Sequence, residues 1–248
     1  PPLFTLSEIL RAEQNKPQQP HTYNDQSRQQ PIIVFELSSH QLRELHTSPQ
    51  IAVVQNITPE HLDYYPNFQT YQKAKSAITK YQKVKDVVIY NPDFVGAATI
   101  AKLSKGKPLT FTISPPSSLI SRKHSHFEKP IVFANQDAIF YQNETVINRE
   151  HIPLIGEHNL LNVMPAVIIG RELGLTNQQI AAAIKSFQPL PHRLEKVVEK
   201  NGVLYINDSQ ATTPEATLAA LSSFNGRTIH LIAGGSDKGV DLQPMVDA

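Results

Sequence analysis

The sequence predicts an α/β protein: a central, mostly parallel sheet flanked by helices, followed by the start of a second, Rossmann-like unit. Three observations carry this. Ile32-Ile-Val-Phe, Ile51-Ala-Val-Val and Asp86-Val-Val-Ile-Tyr90 are short uninterrupted apolar runs, the composition of strands buried on both faces of a parallel sheet. Pro189-Leu-Pro191 sets two prolines between a finished helical pattern and a new apolar run, which marks a boundary near residue 190. Beyond it strands and helices alternate again, so the expected domains are 1–190 and 191–248.

Residues 1–10 carry Leu6, Ile9 and Leu10 on one side of a short helical pattern. From 11 to 31 the chain turns to Gln, Asn, Pro and Ser, where burial cannot offset the entropy of ordering, so an exposed, flexible loop is expected. A strand over 32–36 ends in Glu36 and leads through Ser38 into a helix over 41–45. The 51–54 strand leaves into Asn56-Ile-Thr-Pro-Glu-His-Leu-Asp-Tyr-Tyr, in which Thr58-Pro59-Glu60 has the composition of a helix start. That puts His61 in a first helical turn beyond the carboxyl end of a strand, beside Glu36, where open α/β sheets hold ligands. Taken alone, a single His there is more often a hydrogen-bonded structural residue than a ligand.

Residues 67–85 form a helical stretch whose Lys73, Lys75, Lys80, Lys83 and Lys85 give it a basic, solvated face. The 86–90 strand closes in the Asn91-Pro92-Asp93 turn. Short strands over 109–113, 131–134, 138–142 and 144–148 suit a more antiparallel edge. A long helix over 159–173 ends at Gly174 and contains Pro165; an interior proline costs about 3 kcal/mol, so a kink or a late start is expected. Thr176-Asn-Gln-Gln179 is a capping box opening the helix to Phe187. In the second unit 194–198 and 203–206 are strands, 214–224 a helix and 228–233 a parallel strand.

Composition excludes several function classes. The 23 Lys and Arg balance 22 Asp and Glu, a net charge of +1, which makes no electrostatic case for nucleic acid or an anionic membrane. With no cysteine there is no disulfide, thiol catalysis or zinc-thiolate site, as suits a reducing compartment. No apolar run approaches the roughly 20 residues of a membrane span, so a soluble, cytoplasmic protein is expected. The start at Pro1 and the stop at Ala248 suggest a piece of a longer chain.

Asn207-Asp-Ser-Gln-Ala-Thr-Thr-Pro-Glu-Ala-Thr follows a strand exit, and its Thr213-Pro214 pair opens a helix whose free N–H groups suit an anion. On pattern alone a well-capped helix after a polar turn explains it equally well. The stretch resembles the NDSKATNPEAT motif of the Mur ligases, in the branch that adds D-glutamate. Five further stretches resemble motifs of that family in the same order. They are Val34-Phe-Glu-Leu-Ser-Ser-His-Gln-Leu (ELSSFQL), Asn56-Ile-Thr-Pro-Glu-His-Leu-Asp (N(V/I)TPDHLD) and Gly156-Glu-His-Asn-Leu-Leu-Asn (GxHNxxN), then Leu190-Pro-His-Arg-Leu-Glu (LPHRLE) and Ile232-Ala-Gly-Gly-Ser-Asp-Lys-Gly (IAGGxDKG).

The resemblance implies an ATP-dependent amide ligase of peptidoglycan synthesis, and hence of cell shape and division. ATP would phosphorylate the carboxylate of UDP-N-acetylmuramoyl-L-alanine, and the amine of D-glutamate would displace phosphate from the acyl phosphate. By the same resemblance Glu36 and His61 would be Mg²⁺ ligands, joined by Lys75 once carbamylated, with His61, Lys75 and Arg193 serving catalysis. Asn159 would contact adenine, Arg193 the terminal phosphate and Asp208 the ribose of ATP. Thr212, Lys238 and Ser38 would lie on the substrate side. Expected partners are these small molecules, with no nucleic acid or membrane, acting on a monomer. Read as residues, Lys75 is one of five lysines on a solvated face, and Glu60 and Asp63 are helix-start charges.

Three departures accompany the resemblance. No G-x-x-G-K-[ST] phosphate loop occurs, so the expectation is a chain that lacks the N-terminal domain, that loop and the end of the C-terminal domain, and is not competent by itself. Gln210 stands where the family has lysine, and Pro165 replaces a small helix former. The alternatives are another Mur or folylpolyglutamate-type ligase, or a non-catalytic nucleotide-binding remnant; no G-x-G-x-x-G follows any strand, which weighs against a generic Rossmann module.

Overall fold

The computed structural model of the chain describes residues 32–61, 64–113, 130–236 and 241–247. The chain divides into two compact units, Pro1–Glu36 and Leu37–Ala248. Of the first unit only 32–36 is described, and the expected helix in 1–10 and loop over 11–31 lie outside the described residues. The strand expected over 32–36 does not form: Ile32 is 67% and Val34 88% exposed, in irregular backbone. An apolar run becomes a strand only where a neighbouring backbone takes up its N–H and C=O groups.

In the second unit a six-stranded sheet runs in the order β1 (Ile51–Val54), β2 (Val87–Tyr90), β3 (Lys107–Thr112), β4 (Val132–Ala134), β5 (Ala138–Tyr141) and β6 (Glu144–Asn148). The first four pair in parallel and the last two antiparallel, so the sheet is mostly parallel as expected, but of the four short strands expected at an antiparallel edge only β5 and β6 form it, while β3 and β4 extend the parallel part. The period of two sends side chains to two separate cores. Val87 and Ile89 join Phe111, Val132 and Ile139 on one face, against α5 (Glu157–Glu172) and α6 (Asn177–Ser186). Val88 and Tyr90 face the other way, onto α2 (Phe68–Lys75) and α4 (Val95–Ala101).

Ser38 caps the short helix α1 (Ser39–Arg43), which starts and ends two residues before the predicted one. The single helix expected over 67–85 is two, α2 and α3 (Ala77–Lys80), broken where the Ser76 hydroxyl donates to the carbonyl of Lys73 at 2.6 Å. The sequence reading missed α4, whose Gly96 packs so closely on Ile57 that a Cβ would meet its backbone carbonyl. The late start expected at Pro165 does not occur: α5 runs through it from Glu157 to Glu172. The carbonyl of Leu161, four residues back, accepts instead from the Gln55 side chain at 3.1 Å.

Beyond Ser186 the chain forms an antiparallel hairpin, β7 (Glu195–Lys200) and β8 (Val203–Asn207), then α7 (Pro214–Ser222) and α8 (Gln243–Val246). The parallel strand expected over 228–233 is irregular backbone, with Ile232 97% exposed. β8 pairs only with β7 among the described residues, so no strand pairing holds 228–233 in register. No helix among the described residues is long and apolar enough to cross a membrane.

Candidate functional site

The loop leaving β1 carries the first part of the site, and it is not a helix. Residues 55–61 are irregular and His61 sits in the left-handed region at φ 53°. Its carbonyl accepts from the N–H groups of Tyr64 and Tyr65, turning the chain toward Pro66, and the next helix waits for the Asn67 cap. Glu60 is therefore no helix-start charge; Asp63 lies outside the described residues.

Rings from α1, the loop and α2 gather beside His61, whose side chain stays 45% exposed. The His40 ring centroid is 5.3 Å from that of His61 and 4.4 Å from that of Tyr64, and Arg43 Nη1 donates to the Tyr64 hydroxyl at 2.6 Å. Tyr65 is buried beside them, its hydroxyl without a hydrogen-bond partner among the described residues. On the α2 side the buried Tyr71 donates to Glu60 Oε2 at 3.3 Å, while Glu60 Oε1 lies 3.8 Å from His61 Nε2. Burial first, and then the Glu60 carboxylate, push the Tyr71 phenol up to about 12, so it stays a hydrogen-bond donor.

Tyr71 also presents its ring to Lys75, whose Nζ is 5.3 Å from the centroid. Lys75 is half-buried while Lys73, Lys80, Lys83 and Lys85 are exposed, which separates it from the solvated lysines among which the sequence placed it. His61 and Lys75 thus share one tyrosine as a neighbour. Beside them, beyond the carboxyl ends of β1 and β2, opens a cleft of about 520 Å³ lined by Asn56, Thr58, Phe68, Gln72, Asp93 and Phe94.

The second part lies where α5 begins. Asn159 is buried at 5% exposure, its Nδ2 donating to the Ile155 carbonyl at 2.7 Å and its Oδ1 accepting from Asn162 at 3.1 Å. Among the described residues one N–H and one lone pair of that amide remain without a partner. Gly156, at φ 94°, starts the helix in a space that a Cβ could not share with Ser223 Oγ and the His158 ring. His158 is half-buried, and burial lowers its pKa; the Asp208 carboxylate opposes that shift and the Arg193 guanidinium adds to it. Arg193 and Asp208, from two separate motifs of the sequence, thus lie near enough to act on the charge of His158, the residue before Asn159.

A knot of hydrogen bonds shapes this junction. Asp208 Oδ1 accepts from the N–H of buried Leu194 at 3.0 Å, and Asn207 Nδ2 lies 2.8 Å from His192 Nδ1. The His192 carbonyl accepts from the Gln210 N–H at 3.0 Å. His192 and Leu194 both take left-handed backbone, at φ 65° and 46°, so the turn bends back onto β8. Arg193, between them, is exposed.

Of the remaining sequence candidates, Ser38 is exposed and spends its hydroxyl on the Gln41 cap, and Thr212 is exposed after β8. Glu36 is exposed at the end of the first unit, and Lys238 lies outside the described residues. Among the described residues no group of three or more His, Cys, Asp or Glu side chains gathers into a metal cluster. A Mg²⁺ ion held by His61 would find the Glu60 carboxylate beside it among the described donors and would need further oxygens, a carbamate on Lys75 being one source. The sequence reading passed over Gln55, Tyr71 and His158; only the helix-internal proline could have pointed to Gln55.

Comparison with known proteins gives a concordant result. A family model described as the Mur ligase middle domain matches residues 5–170. The chain is 36% identical over 217 residues to UDP-N-acetylmuramoylalanine--D-glutamate ligase of Oenococcus oeni, which covers 87% of this chain and 46% of that protein. It is 38% identical over 212 residues to the ligase of the same name from Koribacter versatilis, covering 83% and 44%. The chain spans about half the length of the curated relatives it matches. Among solved structures, MurF from Acinetobacter baumannii aligns at a TM-score of 0.55 and 22% identity, over 73% of this chain and 38% of that one, which is a likeness of fold.

Proposed function

The chain belongs to the Mur ligase family through its middle domain, and on that footing we propose that it forms the centre and junction of an ATP-dependent ligase that adds D-glutamate to UDP-N-acetylmuramoyl-L-alanine in peptidoglycan synthesis. The observation that carries the reading is that Arg193 and Asp208, from the second region of the chain, act on the charge of His158, the neighbour of the buried Asn159 at the start of α5. The acceptor is taken from the names of the relatives at 36% and 38% identity. The nucleotide region is proposed as 1–190 and the acceptor region as 191–248.

In the reaction a phosphoryl group passes from ATP to a carboxylate oxygen of UDP-N-acetylmuramoyl-L-alanine, leaving ADP and an acyl phosphate. The D-glutamate nitrogen then bonds to the acyl carbon, gives up a proton, and inorganic phosphate departs as the amide forms. Such transfers need charge neutralisation and positioning more than covalent help. Asn159 offers its remaining N–H and lone pair to adenine, Asp208 its carboxylate to the ribose, and the exposed Arg193 its guanidinium to the terminal phosphate. Thr212 and Lys238 would lie near the D-glutamate carboxylates, and Ser38 on the substrate side. His61, Glu36 and a carbamylated Lys75 would hold Mg²⁺, which when bound neutralises charge on the phosphates.

The test uses the full-length protein with ATP and UDP-N-acetylmuramoyl-L-alanine, following ADP release as amino acids are added. Release that requires D-glutamate is expected, falling on the order of a hundredfold in Arg193→Ala. Release with another amino acid instead would assign the chain to another Mur or folylpolyglutamate-type ligase. Lys75→Ala is expected to abolish release and short carboxylic acids to restore part of it; without restoration the carbamate role is lost. One observation favours a second reading, a nucleotide-binding protein without turnover: Gln210 puts a neutral amide where the family has lysine. ADP binding with no release for any acceptor would establish that reading.

A further inference from the structure

Pro165 stands inside α5, and a residue from the β1 exit answers for it. Proline has no N–H, so the carbonyl four residues back, that of Leu161, loses its helical donor. Gln55, half-buried between β1 and Asn56, supplies one: its Nε2 lies 3.1 Å from Leu161 O and 3.4 Å from Asn162 Oδ1. Asn162 Nδ2 donates in turn to Asn159 Oδ1 at 3.1 Å, and Asn159 Nδ2 donates to Ile155 O at 2.7 Å. Four residues thus form an unbroken series from the loop that carries His61 to the amide at the start of α5.

The series fixes a direction as well as a position. An asparagine amide held at one end can flip, exchanging oxygen for nitrogen at nearly the same place. Asn159 is held at both ends, by Ile155 O on its nitrogen and by Asn162 on its oxygen, so its free N–H and free lone pair point in assigned directions. Adenine offers a donor at N6 and an acceptor at N7; hypoxanthine replaces that donor with a carbonyl oxygen. Only a fixed amide tells the two apart.

We propose that Gln55 is a positioning residue of the nucleotide site: it replaces the hydrogen bond that Pro165 removes and, through Asn162, locks the Asn159 amide in the orientation that selects adenine. This rests on the reading of Asn159 as the adenine contact. It separates two duties of one side chain. A Gln55 that merely satisfied Leu161 O would be dispensable as soon as residue 165 had an N–H of its own. A Gln55 that orients Asn162 would not.

The experiment is a cycle of Gln55→Leu, Pro165→Ala and the double variant in the full-length protein, with thermal midpoint and the calorimetric affinities for ADP and IDP as readouts. Gln55→Leu is expected to lower the midpoint by about 3 °C and the preference for ADP over IDP on the order of tenfold. Adding Pro165→Ala is expected to restore the midpoint, since the new N–H reaches Leu161 O, and to leave the ADP preference low. An unchanged midpoint in Gln55→Leu overturns the compensation. An unchanged preference, or one restored together with the midpoint, overturns the orienting role. Gln55→Met repeats the measurement with closer shape should the leucine variant fail to fold. Asn159→Ala is the control: if it leaves the preference intact, the adenine reading and the orienting role with it are wrong, while the midpoints still decide the compensation.

Discussion

The sheet and the hairpin that follows it are held by different forces. In the sheet Phe111, Ile89, Val132, Ile139 and Met164 are fully buried between α5 and the strands, and apolar burial carries the stability. In the hairpin Val197 is 59%, Val203 51% and Tyr205 52% exposed, and α7 buries no residue at all. What places Asp208 and Arg193 is a knot of directional bonds around His192 and Leu194, with Leu194 the one buried apolar side chain of that region among the described residues. The scaffold of the site should therefore respond to lost volume, and its junction to lost hydrogen bonds.

The comparison breaks most visibly if volume matters equally in both places. Phe111→Ala is expected to cost about 3–5 kcal/mol of unfolding free energy, the transfer term plus the cavity left behind. Tyr205→Ala, on an exposed face of β8, should stay within about 0.5 kcal/mol. Urea midpoints of the two variants decide it, and similar losses would mean that the hairpin has a core hidden from the exposure values.

Next in size is the junction itself. Asp208→Ala leaves the Leu194 N–H without its acceptor on a buried residue held in left-handed backbone, a loss of about 1–2 kcal/mol. The effect should be local, so amide exchange at Leu194 is the sensitive readout: about tenfold faster in Asp208→Ala, with the amides of β2 and β3 unaffected. Acceleration spread through the sheet would show that the two regions unfold together.

Tyr71 sharpens the same contrast within one residue, since its ring is packing and its hydroxyl is direction. Tyr71→Phe removes only the bond to Glu60, whose side chain is 59% exposed, and should cost no more than about 1 kcal/mol. Tyr71→Leu also withdraws the ring from Lys75 and from Tyr65, with centroids 5.4 Å apart, and should cost about 1 kcal/mol more. Equal losses, measured by thermal unfolding, would mean that the hydroxyl carries the whole role.

The same division explains what could be seen in the sequence. Burial leaves a linear trace: Val87–Tyr90 and Glu144–Asn148 fall where their apolar runs put them, and the capping box at Thr176 opens α6 as written. Partner-dependent features leave none. The apolar run at 32–35 looks like a strand but has no strand partner among the described residues, and Thr58-Pro59-Glu60 looks like a helix start but is overruled by the turn at His61. Motif likeness singled out Asn159, Arg193 and Asp208, while the approach of Arg193 and Asp208 to His158 depends on chain folding back over some fifty residues. The half-burial of Lys75 among exposed lysines likewise follows from the Tyr71 ring and not from spacing.

The smallest expected effect is electrostatic and sits where the two regions touch. His158 has its pKa lowered, first by burial and then by Arg193, against the pull of Asp208. The unfolded chain, with an ordinary imidazole near 6.5, then binds a proton at a pH where the folded chain does not. Between the lowered folded value and the unfolded value stability must rise with pH, so the contribution of neutral His158 is complete above the unfolded pKa and is lost as the pH falls below it. Subtracting the pH profile of His158→Asn from that of the parent, between about pH 5 and 8, isolates this group from the other nine histidines. The difference should slope upward through the acid half and flatten above the unfolded value. A slope of opposite sign would mean that Asp208 dominates and that the imidazole is held charged against it, which would recast the junction as an ion pair.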